Sequence, residues 1–351
     1  MKIKVGINGL GRIGRSILRI ALNHPDMEVV VINDINPDVN NIAYLLKYDS
    51  IYGRMSQEIN VDGDSLIIDG NAIKVFCEKN IDQVEWYKEG VEYVIDSSGI
   101  SKNIDLARNL QDSGVKSCIV TNSPKEDKVD CYIIPTVNHD DFDPKKHFIV
   151  SSSICDANAF VPVADILDRN FGIEHGFLTT LHPWLNYQNL LDGPSISYAT
   201  PGEIYDYYSL GRSSVGSLIP KTTSAIDASC KVLKQLEGKF QSMSYRVPTM
   251  VVASGDLTVK LNKDFSVEDI KSVFEDAEKN QKWKVIHNNK EPLVSTDFIK
   301  NDYSAVVDHR WIMKNGDNYL KMVLWYDNEW AYSARVVDVV EILAEKHNSY
   351  F

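Results

Sequence analysis

The chain has 351 residues, of which 44% are hydrophobic and 25% charged, the balance of a globular protein; its length exceeds one comfortable core, so two domains are expected. A formal net charge of -12 offers no basic face to nucleic acid or an anionic membrane surface, and no apolar run approaches a membrane span. Five scattered cysteines without CxxC spacing (Cys77, Cys118, Cys131, Cys155 and Cys230) argue against a disulfide framework or a structural zinc site; no metal is expected, and with no leader pattern ahead of the first strand the expected compartment is the cytoplasm.

Lys2 to Asn8 alternates like a strand and runs into Gly9-Leu10-Gly11-Arg12-Ile13-Gly14. A helical pattern through Ile17, Leu18 and Ala21 follows, then a second strand, Val29 to Ile32, ending at Asn33-Asp34. Strand, glycines, helix, strand and an acid about 20 residues beyond the last glycine form the dinucleotide-binding order. The glycines let a pyrophosphate approach the helix N-terminus, and Asp34 can accept the ribose hydroxyls. An acid there would repel a 2′-phosphate, which favours NAD over NADP. Ile59 to Phe76 reads as a pair of strands with Gly63 and Gly70 turns, an antiparallel insertion. Val91 to Asp96 and Ser117 to Thr121 read as strands flanking a helix, Asn103 to Ser113. Ser97-Ser98-Gly99 is a small-residue turn at the sheet edge expected to face the cofactor.

Ile149 to Ser153 ends an apolar strand in hydroxyl residues, and Cys155 follows at a strand-to-helix turn. A thiol at a helix start sits near unpaired N–H groups and the positive dipole end, which favour thiolate; a buried structural cysteine fits the local pattern as well. Phe160, Val163, Ala164 and Leu167 recur at helical spacing, and Pro162 requires the helix to kink or to begin after Cys155. The next strand, Phe177 to Leu181, delivers His182, a residue type suited to act as base toward a thiol. Tyr187, Tyr198, Tyr205, Tyr207 and Tyr208 crowd a glycine- and proline-rich stretch that reads as a long structured loop. Arg212 and Arg246 carry guanidinium groups suited to phosphate or carboxylate. Leu257 to Leu261 reads as a strand, Ser266 to Lys279 as a helix, Lys321 to Tyr326 as a last strand, and Val336 to Leu343 as part of the closing helix.

Val5 to Arg15, Leu45 to Ser50, Val137-Asn138-His139, Phe171-Gly172-Ile173, Asp192 to Ser195, Arg246 to Thr249 and Trp325 to Trp330 together resemble, in order, the landmarks of the glyceraldehyde-3-phosphate dehydrogenases. The resemblance implies an α/β Rossmann NAD-binding domain (1–153 with 329–351) and an α+β catalytic domain with a mostly antiparallel sheet (154–328). It implies NAD lying over Asn8, Gly9, Gly11, Arg12, Ile13, Asp34 and Ser98 with Asn328 near the nicotinamide, Cys155 as nucleophile, and His182 as its partner. Arg212, Thr223 and Arg246 fall on substrate-binding positions, the substrate is a small and anionic aldehyde, and a homotetramer is implied. The implied reaction is NAD-dependent aldehyde oxidation through a cysteine thiohemiacetal and thioester. Around the nucleophile, Ile154 and Asp156 replace hydroxyl residues that in the family help hold inorganic phosphate. Leu185 and Tyr187 stand for phosphate-binding threonines, and the loop between Pro194 and Arg212 is longer than usual. These departures leave as alternatives a non-phosphorylating or altered-specificity enzyme acting on a different sugar-derived aldehyde, and a non-catalytic NAD-binding paralogue.

Overall fold

The computed structural model describes residues 2–124 and 128–349. The chain forms two compact units: one takes the chain up to Ile133, His139–Ser152 and the segment from Val336, the other Ile134–Asn138 and Ser153–Arg335.

Among the described residues the first unit holds a nine-stranded sheet: β1 (Ile3–Asn8), β2 (Met27–Asn33), β3 (Ile59–Asp62), β4 (Ser65–Ile68), β5 (Asn71–Phe76), β6 (Tyr93–Asp96), β7 (Ser117–Val120), β8 (Cys131–Tyr132) and β9 (Ile149–Ser151). Their spatial order is β3-β4-β5-β2-β1-β6-β7-β9-β8. From β5 to β8 every pairing is parallel, and every residue of β6 and β7 is buried, as strands covered on both faces must be. The Ile59 to Phe76 segment holds three strands where the sequence suggested a pair. Gly63 (φ 58°) and Gly70 (φ 83°) each reverse the chain, so two turns produce an antiparallel β3-β4-β5 meander whose last strand joins the parallel set beside β2.

The ends of β2, β1 and β6 are tied side chain to side chain. Asn33 Nδ2 donates to Asn8 Oδ1 at 2.7 Å, and Asn8 Nδ2 donates to Asp96 Oδ1 at 2.8 Å. All three residues are buried, so these bonds satisfy polar groups that water cannot reach. Burial pushes the Asp96 carboxyl up. The ladder fixes the strand ends at the edge where open parallel sheets take their ligands, and helix α1 (Arg12–Ala21) leaves from that edge.

The second unit carries an eight-stranded sheet: β10 (Ile173–Pro183), β11 (Ile219–Lys221), β12 (Phe240–Val247), β13 (Ala253–Leu261), β14 (Ile286–Asn289), β15 (Ala305–Asp308), β16 (Met313–Asn315) and β17 (Tyr319–Tyr326). Its order is β11-β12-β10-β13-β17-β15-β14, with β16 on β17. Only β10 with β12 and β14 with β15 run parallel; the remaining pairings are antiparallel. Helices α4 (Cys155–Phe171), α5 (Ala225–Cys230) and α6 (Val267–Asn280) accompany it, α4 packing on β10, β13 and β15. In the first unit, α2 (Val39–Lys47) and α3 (Ser101–Leu106) follow α1.

Helix α4 begins at Cys155 and continues through Pro162 to Phe171, so of the two expected outcomes the later start does not occur. A proline in a helix interior costs about 3 kcal/mol. Here Ala157, Ala159, Phe160, Val161, Val163, Ala164 and Leu167 are all buried, and Phe160 meets the Phe240 ring edge-on at 5.1 Å. Burial of a single large apolar side chain stabilises by about 1.5–3 kcal/mol, so packing on several faces outweighs the proline. Helix α6 starts with a capping box: Ser266 Oγ accepts from Asp269 N at 3.1 Å, and Ser266 N donates to Asp269 Oδ2 at 2.7 Å.

Gly9 has φ +90°, and a Cβ on it would lie 2.6 Å from the Ser98 Cα. Replacing Gly9 by alanine therefore combines an unfavourable backbone region with a backbone collision. We expect Gly9→Ala to lower unfolding free energy by about 2 kcal/mol or more, read from the midpoint of urea denaturation.

Candidate active site

The proposed nucleophile is presented by a strained turn. Ser153 adopts φ +61°, the left-handed region that non-glycine residues avoid. Its carbonyl accepts a hydrogen bond from the buried Tyr332 hydroxyl at 3.0 Å. Ile154 then caps α4 in extended conformation without a side-chain hydrogen bond, and Cys155 is the first helical residue.

His182 reaches Cys155 from the end of β10. Its Nε2 lies 3.6 Å from Cys155 Sγ, and its Nδ1 lies 2.8 Å from the Pro183 carbonyl oxygen. A carbonyl only accepts, so Nδ1 carries the proton and Nε2 presents its lone pair to the thiol. Burial, and then the nearby Arg246 cation, push His182 down to about 4. It is neutral at physiological pH, poised to accept a proton.

Asp156 completes the cluster. Its Oδ1 lies 3.7 Å from Cys155 Sγ and accepts from the Tyr326 hydroxyl at 2.7 Å; its Oδ2 faces the Thr223 hydroxyl, which donates at 3.4 Å. Burial, and secondly the Asp156 carboxylate, push the Cys155 thiol well above its ordinary value, Arg246 opposing only in part. The helix-start environment expected to favour thiolate is thus outweighed. Desolvation and an adjacent negative charge both penalise an ionised sulfur, and the resting pair is thiol with neutral imidazole. Burial, with Asp156 second, pushes Tyr326 well up, so its proton stays in the bond to Asp156.

Two cations flank the group. In the parallel register of β10 and β12, His182 stands opposite Arg246, which is 8% exposed. The Arg246 side chain has no hydrogen bond or ion pair to any described residue, and its Nε is buried without a partner. A desolvated guanidinium without a counter-ion is costly and marks a place built for an anion. Lys221, at the end of β11, is pushed down to about 8 by burial and then by Arg246. Both line a cavity of about 330 Å³ together with Tyr187, Tyr198, Tyr205 and Ser195.

The tyrosine-rich loop walls that cavity and is ordered by its own ladder. Tyr205 N donates to Ser195 O at 2.7 Å and Ser197 N to Glu203 O at 3.0 Å. Tyr187 stacks on Tyr198 with centroids 5.7 Å apart, and the Tyr207 hydroxyl donates to Pro220 O at 2.8 Å, tying the loop to β11. Arg212 is not brought into this group. Its side chain is 69% exposed and paired with Asp192 at 2.9 Å, and it does not line the cavity. Thr223 is present, with its hydroxyl turned to Asp156.

In the first unit the glycine loop has the form a dinucleotide requires. Gly11 is the N-cap of α1, with no side-chain cap and no acid in the first turn, and a Cβ there would meet nothing within 4 Å; an open, uncapped helix start receives a pyrophosphate. Asp34 follows the end of β2 and accepts from Leu10 N at 2.6 Å, which holds the loop to the strand. Arg12 pairs with Asp49 beside the Tyr52 ring, and Ile13 follows in the first turn. Ser98 Oγ accepts from Asn103 Nδ2 at 3.0 Å, and Asn8 is committed to the ladder of strand ends. In the second unit Asn328 Oδ1 accepts from Val252 N at 3.1 Å.

The family model for the NAD-binding domain of glyceraldehyde 3-phosphate dehydrogenase matches residues 3–104, and that for the C-terminal domain of the same enzyme matches residues 154–328. The chain belongs to this family. It is 38% identical over 347 residues to a glyceraldehyde-3-phosphate dehydrogenase of Wickerhamomyces ciferrii, covering 99% of this chain and 100% of that one. It is 38% identical to the Geobacillus stearothermophilus enzyme of that name, covering 99% of each. With that of Eremothecium gossypii the identity is 39% over 342 residues, 97% of this chain and 99% of the other.

Two members of the cluster, Tyr326 and Lys221, were not singled out from sequence. The alternation in β17 puts Tyr326 on the buried side with Leu320, Met322 and Leu324, and a buried tyrosine hydroxyl needs a partner, so the signal existed. Lys221 carries none. Because Asp156 is one of the two causes that raise the Cys155 thiol, Asp156→Asn is expected to speed iodoacetamide alkylation of Cys155 at neutral pH and shift its pH midpoint downward. Because His182 is held below its usual 6.5, at about 4, neutral His182 supports the fold fully above pH 6.5, and that support is lost as pH falls toward 4. His182→Gln should therefore lose less Tm than the parent over that interval in a thermal melt series.

Proposed function

We propose that the chain catalyses NAD-dependent oxidation of a small anionic aldehyde, in the manner of a glyceraldehyde-3-phosphate dehydrogenase, through a thiohemiacetal and a thioester on Cys155. The observation that carries this reading is the 3.6 Å approach of Cys155 Sγ to a histidine nitrogen whose tautomer is fixed by the Pro183 carbonyl. Attack of sulfur on the aldehyde carbon forms the S–C bond as His182 Nε2 takes the thiol proton. His182, then protonated, donates to the developing oxyanion and is placed to recover a proton when the carbonyl re-forms. Arg246 and Lys221 hold the substrate anion, and the tyrosine-walled cavity receives the rest of the molecule.

The fit of the glycine loop supports NAD as cofactor, with Gly9, Gly11, Arg12, Ile13 and Asp34 cradling its pyrophosphate and ribose, Asn8 and Ser98 forming the sheet edge beneath, and Asn328 serving the nicotinamide amide. When bound, NAD supplies the acceptor for the hydride that leaves the aldehyde carbon. The functional division we assign is 1–153 with 329–351 for the cofactor and 154–328 for the chemistry. Arg212 serves substrate only if its pairing with Asp192 is exchanged. A homotetramer in the cytoplasm is proposed from the family resemblance; no helix among the described residues is long and apolar enough to cross a membrane.

Production of NADH from NAD and glyceraldehyde 3-phosphate tests the reading. Cys155→Ser is expected to abolish it. Arg246→Ala is expected to raise KM roughly ten- to hundred-fold, the worth of a charged hydrogen bond to an anion, with a smaller effect on kcat. Absence of NADH and of any Cys155 adduct, with this aldehyde and with other sugar-derived aldehydes, would leave a non-catalytic NAD-binding protein.

A further inference from the structure

We infer that water, activated by Asp156, is the acyl acceptor at this site, so that the product is a free carboxylic acid and not an acyl phosphate. The inference rests on the reading that Cys155 carries a thioester. In the resting site Asp156 Oδ1 has two neighbours, the Tyr326 hydroxyl at 2.7 Å and the Cys155 thiol at 3.7 Å. A carboxylate oxygen accepts two hydrogen bonds. Once the sulfur is acylated its proton is gone, and the position on Oδ1 that faced the thiol is open to a water beside the thioester carbonyl. Tyr326 and Thr223 hold the carboxylate in that orientation.

The same group works against phosphate as nucleophile. A carboxylate next to the acyl sulfur repels an incoming dianion and leaves water unaffected. The Thr223 hydroxyl is turned to Asp156, and Ile154 offers no polar atom in its side chain. Arg246 and Lys221, which attract anions, line the cavity that takes the substrate's own charge. In the step, the water oxygen bonds to the acyl carbon while its proton passes to Asp156. The tetrahedral adduct then collapses, the C–S bond breaks with its electron pair going to Sγ, and Asp156 returns the proton to the sulfur. Thioester and water become carboxylic acid and thiol, with no redox change.

Acetylation of the full chain by p-nitrophenyl acetate tests this without NAD or aldehyde, since a burst of p-nitrophenolate reports acylation and the following steady rate reports deacylation. The parent is expected to turn over steadily at a rate independent of added inorganic phosphate. Asp156→Asn is expected to give a burst of one equivalent and then a steady rate roughly 100-fold slower or more, the usual worth of a general base, with acetyl retained on the Cys155 peptide in mass spectra. A circular dichroism spectrum and melt matching the parent's show that the variant is folded. Asp156→Thr is a second variant, expected to deacylate slowly in buffer and faster with added phosphate. Deacylation by Asp156→Asn or Asp156→Thr at the parental rate, or a parental rate proportional to phosphate, would overturn the assignment. A parent that releases p-nitrophenolate no faster than Cys155→Ser overturns the thioester reading itself, a distinct signature.

Discussion

The register of β10 against β12 is the constraint on which the site depends. The two strands run parallel, so both end at the same edge, and the pairing His182↔Arg246 sets the base and an unpartnered cation side by side. A one-residue slip of either strand would put the two side chains on opposite faces of the sheet. The register is held within the sheet by the Thr180 to Ser244 hydroxyl bond at 2.8 Å, buried on both sides, and by the packing of Phe240 on α4. On one side β11, antiparallel to β12, adds Lys221; on the other β17, which pairs with β13 next to β10, adds Tyr326. Four strands converge on one thiol, and none is a neighbour of Cys155 in sequence.

That convergence explains why the site was legible only in part. Cys155 and His182 were visible because each closes or follows an apolar run with a residue type of known chemistry. The glycine loop was visible because its spacing is enforced locally by turn geometry, as the positive φ of Gly9 and the open mouth at Gly11 show. Lys221 and the role of Tyr326 were not, because their function comes from strand pairing across long separations, which sequence spacing does not encode. Arg212 shows the converse. Its place in the sequence suits an anion site, yet the nearest carboxylate, Asp192, sits on the same loop and holds it at the surface. Local ion pairing decides the orientation of an exposed arginine, whereas Arg246 is fixed by its strand.

The elements of the fold follow the same rule. Strand alternation and helical periodicity located the main elements, and the glycine turns of the Ile59 to Phe76 segment were recognised. The number of strands they generate was undercounted, because a third short strand gains its stability from pairing with β2. At Pro162 local propensity allowed a start after Cys155, and the helix starts at Cys155 all the same. The helix is buried on nearly every side, and tertiary packing overrode a penalty that would end an exposed helix.

Asp156 ties these strands of argument together, since one carboxylate changes both halves of a thiol cycle. Together with burial, it raises the Cys155 thiol and leaves no standing thiolate, so in the proposed reaction the nucleophile is made at the moment of attack, with His182 taking the proton as the bond forms. A neutral pair of this kind is less open to alkylation and oxidation than an ion pair, because the thiolate is the reactive form. After acylation the sulfur no longer carries a charge to be opposed, and the carboxylate becomes an asset, a base within reach of the acyl carbon. The buried charge is tolerated because Tyr326 and Thr223 satisfy it from both oxygens. In the proposed cycle, slower thiolate formation and faster hydrolysis both trace to Asp156, which ties the choice of acyl acceptor to the protonation state of the nucleophile.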